Sequence, residues 1–169
     1  MASPLFLAER SAPHLKAASD LVHLRTEQTL QFVDLTDLVA ERVRRSGIDH
    51  GLACVQTLHT TTAVIVNENE PLLLEDMRRR LEALAPAGGS YAHDDLSLRG
   101  DAQASERRNG HAHCKALFLA PSATLTIVAG RLLLGRWQRL FLVELDAGRT
   151  RGIAIQLLGT SRDGDANRL

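Results

Sequence analysis

The 169-residue chain is short of aromatic side chains, with one Trp, one Tyr and four Phe, so aliphatic residues have to build its core. Two cysteines, Cys54 and Cys114, are too few for the disulfide framework of a small secreted protein. Net charge is missing as well. Lys plus Arg and Asp plus Glu both number 20, so no overall field draws nucleic acid or an anionic membrane. The basic runs at Arg42-Val-Arg44-Arg45 and Arg78-Arg79-Arg80 fall in helical stretches and read as solvated faces. No segment reaches 18 consecutive apolar residues, and the start of the chain lacks a basic region followed by an apolar one. There is no G-x-G-x-x-G between a strand and a helix and no G-x-x-x-x-G-K-[ST], which argues against a dinucleotide fold and a P-loop. A G-x-S-x-G elbow is also lacking. The expectation is a reduced, cytoplasmic protein with no nucleic-acid or membrane partner. Its single domain covers residues 20–160, with a loosely held segment 1–19 and a tail 161–169.

The stretch His59 to Asn69, HTTTAVIVNEN, joins a histidine to a β-branched run that ends in a carboxylate between two amides. It reads as a strand with polar residues at both ends. Ahead of it, residues 20–33 suggest a hairpin through Val22, Leu24, Leu30 and Phe32. Leu35, Leu38, Val39 and Val43 then share a helical face that Asp34 or Thr36 can cap and Gly47 can stop. A buried strand, residues 51–58, leads into His59. Pro71 opens a second helix, to about Ala85, with Leu73, Met77, Leu81 and Leu84 as its stripe; Asp76 either looks towards the site end or is a solvated acid or dipole partner. A polar loop over residues 86–108 carries His93, Asp94 and Asp95, and long loops of this kind are often functional. Asn109 can cap a short helix. By phase, His113 lies on its apolar side with Ala116 and Leu117, and His111 lies with Lys115 on the exposed side. The last third is the clearest β region: residues 123–128 and 131–134 form a hairpin about Ala129-Gly130, and residues 140–145 pair with 152–158 across Asp146-Ala147-Gly148.

Three groups carry chemistry. His59, His93 and His113 could hold a divalent metal with open positions for water or substrate. Zinc suits three imidazoles best, although nickel, cobalt and iron are compatible with them. Asn67, Glu68 and Asn69 either orient a general base or simply end the strand and cap the next helix. Arg136 and Trp137, between two strands, could hold an anion and stack a ring; a lone Trp is more often core or subunit contact. Cys114 beside His113 makes a poor nucleophile pair, because adjacent helical residues diverge by about 100°.

The pattern H-T-[ST]-x-[AG]-x-x-[IV]-N-E-N at His59 to Asn69 is accompanied by three others in order. They are Y-x-H-D at Tyr91 to Asp94, A-H-x-K-A at Ala112 to Ala116, and L-G-x-W-Q at Leu134 to Gln138 ahead of a strand containing Glu144. Together they make the chain resemble the YjbQ family, labelled secondary thiamine-phosphate synthase enzymes, over residues 20–160. That resemblance implies an α+β domain with an antiparallel, sandwich-like sheet and a few packed helices, assembled as a homotrimer. It implies a weak synthase activity that joins a pyrimidine pyrophosphate to a thiazole phosphate. The catalytic residues would be Glu68, His59 and His113, with Asn67, Asn69, Asn109 and Arg136 on the phosphorylated substrate. His59, His93 and His113 would be metal ligands for zinc, or magnesium would accompany a pyrophosphate. Two other readings use the same residues: a non-catalytic trimeric module binding a phosphorylated metabolite, and a metal-dependent phosphate-ester hydrolase.

Overall fold

The structure, a computed structural model, describes residues 14–100 and 106–161. Among these residues, eight strands form two antiparallel sheets. The strands are β1 (Leu15–Arg25), β2 (Phe32–Asp34), β3 (Ile48–Thr57), β4 (Thr62–Glu68), β5 (Ser122–Val128), β6 (Arg131–Leu132), β7 (Gln138–Glu144) and β8 (Thr150–Ser161). One sheet runs β1-β8-β3-β5-β6 and the other β2-β7-β4. Among the described residues, three α-helices, α1 (Thr36–Ser46), α2 (Pro71–Leu84) and α3 (Gly110–Ala116), and two short 3-10 turns complete the α+β domain.

The alternation of side chains along the strands builds two cores. Val64, Leu140 and Leu142 of the smaller sheet face Ala53, Val55, Ile153, Ile155 and Leu157 of the larger, with Leu35, Val39 and Val43 of the α1 region packed among them. Their neighbours Ala63, Phe141 and Val143 point the other way, into a second cluster with Ala112, flanked by Leu74 and Leu81 of α2. Strand β7 is therefore covered on both faces and is buried almost continuously. Helix α1 stops at Gly47, whose φ of 68° is left-handed, as its position after the apolar stripe predicts. Asp34 accepts from the Thr36 backbone N–H at 2.9 Å, while Glu70 caps α2 through the backbone N–H groups of Leu72 and Leu73.

Two expected hairpins do not form. Strand β1 pairs with β8 and β2 with β7, so residues 20–33 cross between sheets. Leu30, buried with a φ of 50°, and the bond from Thr26 N–H to Arg149 O turn the chain there. Likewise β7 and β8 lie in different sheets, and Asp146–Gly148 carries the chain from one to the other. Both strands need two neighbours to satisfy their backbones, and the larger sheet supplies β1 and β3 to β8. Only the hairpin about Ala129-Gly130 forms as read, with φ of 51° and 72° at those positions. The paired strand also begins at Leu15, ahead of the expected boundary at residue 20. Residues 1–13 and 162–169, most of the expected loose segment and tail, lie outside the described residues, as do 101–105 of the expected loop.

Candidate functional site

The polar ends of the HTTTAVIVNEN stretch are not one site within the chain. Strand β4, Thr62–Glu68, spans about 20 Å at about 3.3 Å per residue, with His59 before one end and Glu68 at the other. Glu68 sits opposite Gln138, beside the Arg136 loop. Asn67 donates to Met77 Sδ at 3.3 Å and Asn69 donates to Asp34 Oδ2 at 3.1 Å. Asp34 is itself paired with Arg139, at 2.7 Å. Arg136 lies 4.7 Å over the ring of Trp137, which is 61% exposed and so is no core residue. This end is an exposed polar rim. As substrate residues or a base for His59, Asn67, Glu68, Asn69 and Arg136 are displaced by the length of the strand.

At the other end a charged network is buried between the sheets. Arg151, 1% exposed, shares the inward phase of Ile153, Ile155 and Leu157. Its guanidinium grips both carboxylate oxygens of the fully buried Glu144, with Nε at 2.6 Å, and reaches Thr61 Oγ1 at 3.2 Å. Glu144 also accepts from Thr26 Oγ1 at 2.7 Å and from the Asp146 backbone N–H at 3.0 Å. Asp146 in turn holds Arg149 and accepts from Asn109 Nδ2 at 3.4 Å. His59 stands over this network: Gly152 N–H donates to its Nε2 at 2.8 Å. Burial, then the charge of Arg151, keeps the His59 pKa below the ordinary value of 6.5. Thr26, Arg149 and Arg151 of this network lie outside every sequence motif. The signal was there, in an arginine at an inward position of an apolar strand.

Helix α3 and the loop before it form the adjoining cleft, about 480 Å³, lined by Tyr91, His93, Gly110, His113 and Cys114. Asp94 Oδ1 accepts from Gly110 N–H at 2.8 Å and fixes the loop to the start of α3. His93 and His113 meet edge to face with centroids 4.8 Å apart. Burial, then His93, lowers the His113 pKa. Helix α3 does not follow the expected phase. His111 is the buried histidine, at 8% exposure, and Lys115 is fully buried, whereas Leu117 is 81% exposed. Lys115 Nζ bonds Glu82 Oε2 at 3.0 Å and His111 Nδ1 at 3.1 Å, so a satisfied polar group faces inward where an apolar one was expected.

The three-histidine metal centre is therefore not assembled. His93 and His113 come together, but His59 turns its Nε2 to Gly152, and among the described residues no three His, Cys, Asp or Glu side chains could hold a metal ion. No described helix is long and apolar enough to cross a membrane.

Among the described residues, three enclosed polar atoms have no protein partner: His93 Nε2, Asn109 Oδ1 and Arg149 Nε. All belong to groups tied to the start of α3. Asn109 precedes it, Arg149 shares Asp146 with Asn109, and His93 packs on His113.

Fold and site define a small α+β protein with two antiparallel sheets and a buried carboxylate–guanidinium seam. The chain belongs to the family of YjbQ-like UPF0047 proteins, whose description matches residues 20–160. It is similar to a UPF0047 protein of Archaeoglobus fulgidus, 38% identical over 135 residues, covering 80% of this chain and 97% of that relative. A UPF0047 protein of Methanothermobacter thermautotrophicus is 34% identical over 136 residues, 80% of this chain and 88% of the relative. The crystal structure of a YbjQ-like protein from Sulfolobus solfataricus superposes with a TM-score of 0.77 at 33% identity, covering 86% of this chain and 99% of that one. A hypothetical protein from Aeropyrum pernix gives 0.74 at 35% identity, with 84% and 98% covered.

Proposed function

We propose that the chain is a small cytoplasmic enzyme that acts on a phosphorylated small molecule at the seam between His59, Arg149 and the start of α3. Formation of thiamine phosphate would be a secondary activity of that site. The observation that carries the reading is the set of three enclosed polar atoms without partners. Leaving such a group unsatisfied costs about 1–3 kcal/mol, and three around one helix start indicate a place for a ligand. Arg149 Nε–H offers a donor to a phosphate oxygen, with Arg151 and Arg107 adding positive charge nearby. Asn109 Oδ1 requires a donor, so the ligand carries a hydroxyl or amino group as well as an anion. In synthase chemistry these cations would take up the charge of the departing pyrophosphate. A divalent cation enters this reading as the companion of a pyrophosphate substrate, since the residues do not fit a three-histidine zinc cage.

Assembly as a homotrimer belongs to the same reading. The outward face of β1, β8, β3 and β5 carries no carboxylate and no lysine, and it exposes Leu21, Leu52 and Leu158 at 54%, 49% and 44%. A wide sheet face free of acidic side chains, with Arg25 at the end of β1, suits contact with further copies. Sedimentation of the protein tests this, and a monomer at micromolar concentration would remove it.

Binding of inorganic pyrophosphate and of thiazole phosphate by calorimetry, beside thiamine phosphate formation, tests the site. Arg149→Met is expected to weaken binding about tenfold, equivalent to about 1.4 kcal/mol, and to abolish turnover. Unchanged binding in Arg149→Met, with loss in Arg136→Met, would move the site to the far end of β4. Binding without product in the wild type would favour the non-catalytic module.

A further inference from the structure

We infer that His59 meets its ligand as a neutral hydrogen-bond donor through Nδ1, in a tautomer fixed by the backbone N–H of Gly152, and is neither a metal ligand nor a base. The role of the bound ligand rests on the function proposed above; the tautomer does not. Gly152 N–H points its proton at His59 Nε2 at 2.8 Å, so the lone pair of that nitrogen is already used. A neutral imidazole has one N–H, which must then be on Nδ1. An imidazolium would set Nε2–H against Gly152 N–H, donor against donor. Metal ligation is shut out for the same reason, because it needs a free lone pair on one ring nitrogen and neither has one.

The support for this geometry is rigid. Arg151, immediately before Gly152, is locked by both oxygens of Glu144 and by Thr61. The Gly152 carbonyl accepts from Leu58 N–H at 3.1 Å, and His59 N–H reaches Thr57 Oγ1 at 3.3 Å. Glu144, Arg151 and Gly152 thus act as positioning residues for the ring. A methyl at Gly152 would sit at ordinary contact distance, 3.4 Å from Leu58 Cδ1 and 3.8 Å from His59 Nε2. Nδ1 has no hydrogen-bond partner among the described residues, and it is not among the enclosed unpartnered atoms. It is therefore the ring atom left for an incoming acceptor. The chemical class follows. The ligand presents an oxygen that accepts, such as a phosphate or pyrophosphate oxygen, and His59 gives it a hydrogen bond without first taking up a proton.

Two measurements on the full chain separate the tautomer from its use. Nitrogen-15 NMR of the ligand-free protein at neutral pH should show a protonated Nδ1 and an unprotonated, hydrogen-bonded Nε2. A protonated Nε2, or a shift of the His59 nitrogens on adding zinc, would overturn the inference whatever the protein binds. With inorganic phosphate as probe, His59→Asn keeps an amide donor near the Nδ1 position and should hold affinity within about threefold. His59→Gln supplies only a group near Nε2 and should lose about tenfold or more. Equal loss in both variants, or none in either, would refute the donor role even with the tautomer confirmed. Failure of wild-type protein to bind phosphate, with the Nδ1–H tautomer present, would count against the proposed function and the ligand assignment together.

Discussion

Removing the charge of Glu144 is the sharpest perturbation this fold offers. Glu144 is fully buried and Arg151 is 1% exposed, so water cannot take over from either partner. In Glu144→Gln the guanidinium of Arg151 loses its counter-ion inside the protein, and breaking a buried pair from one side costs about 3–5 kcal/mol. Arg151→Met strands the carboxylate and should cost a similar amount. The double variant Glu144→Gln/Arg151→Met leaves no unpaired charge. The glutamine oxygen can still accept from the Asp146 N–H while its amide donates to Thr26 Oγ1, so the combined loss should be about 1–3 kcal/mol rather than the sum. For a domain of ordinary stability, about 5–15 kcal/mol, each single change removes a large share of the total. Urea unfolding of the four proteins measures these values from the midpoints and slopes. Near-additive losses would refute the reasoning. So would single losses below about 1 kcal/mol, because both would mean that the pair is hydrated and does not act as a unit.

Two other predictions concern packing and pH. Gly51 and Gly159 face one another across β3 and β8, and a methyl on Gly51 would lie 2.2 Å from the Leu158 carbonyl oxygen. Gly51→Ala should therefore lower the urea midpoint by the equivalent of about 2 kcal/mol or more, and an unchanged midpoint would show that the strands spread at no cost. His59, His111 and His113 all have pKa values below 6.5, chiefly through burial. The unfolded chain then binds more protons as the pH drops through 6.5. Stability from these groups is complete above 6.5 and is lost towards their lower folded values. Urea midpoints should be flat from about pH 8 to 7 and fall below about 6.5; a rise on acidification would mean that these histidines are held charged.

Much of the local structure was legible. The aliphatic stripe of α1, its stop at Gly47, Pro71 at the start of α2 and the positive-φ turn at Ala129-Gly130 are local signals, because each depends on residues within one or two turns of the chain. Four spaced motifs were enough to indicate the family. Strand pairing was less accessible, since alternation in β7 and β8 says which side chains are inward and nothing about which strand lies alongside. The histidines show the same limit. His93 and His113 meet because a loop folds back on α3 through Asp94, while His59 is turned away by a backbone N–H that no sequence pattern encodes.

By itself, the sequence determined the class of fold, the strand-forming character of HTTTAVIVNEN and the presence of polar groups at both of its ends. Tertiary structure alone decided that one of those ends lies over a buried ion pair while the other meets Gln138 and Asp34 at the far end of β4. It also decided that Lys115 and His111, rather than His113, face inward. The physical reason is that secondary structure follows from the short-range periodicity of apolar residues. A buried charge is tolerated only where distant segments deliver its partner, and Glu144, Arg151, Thr26 and Thr61 meet only when the chain crosses from one sheet to the other.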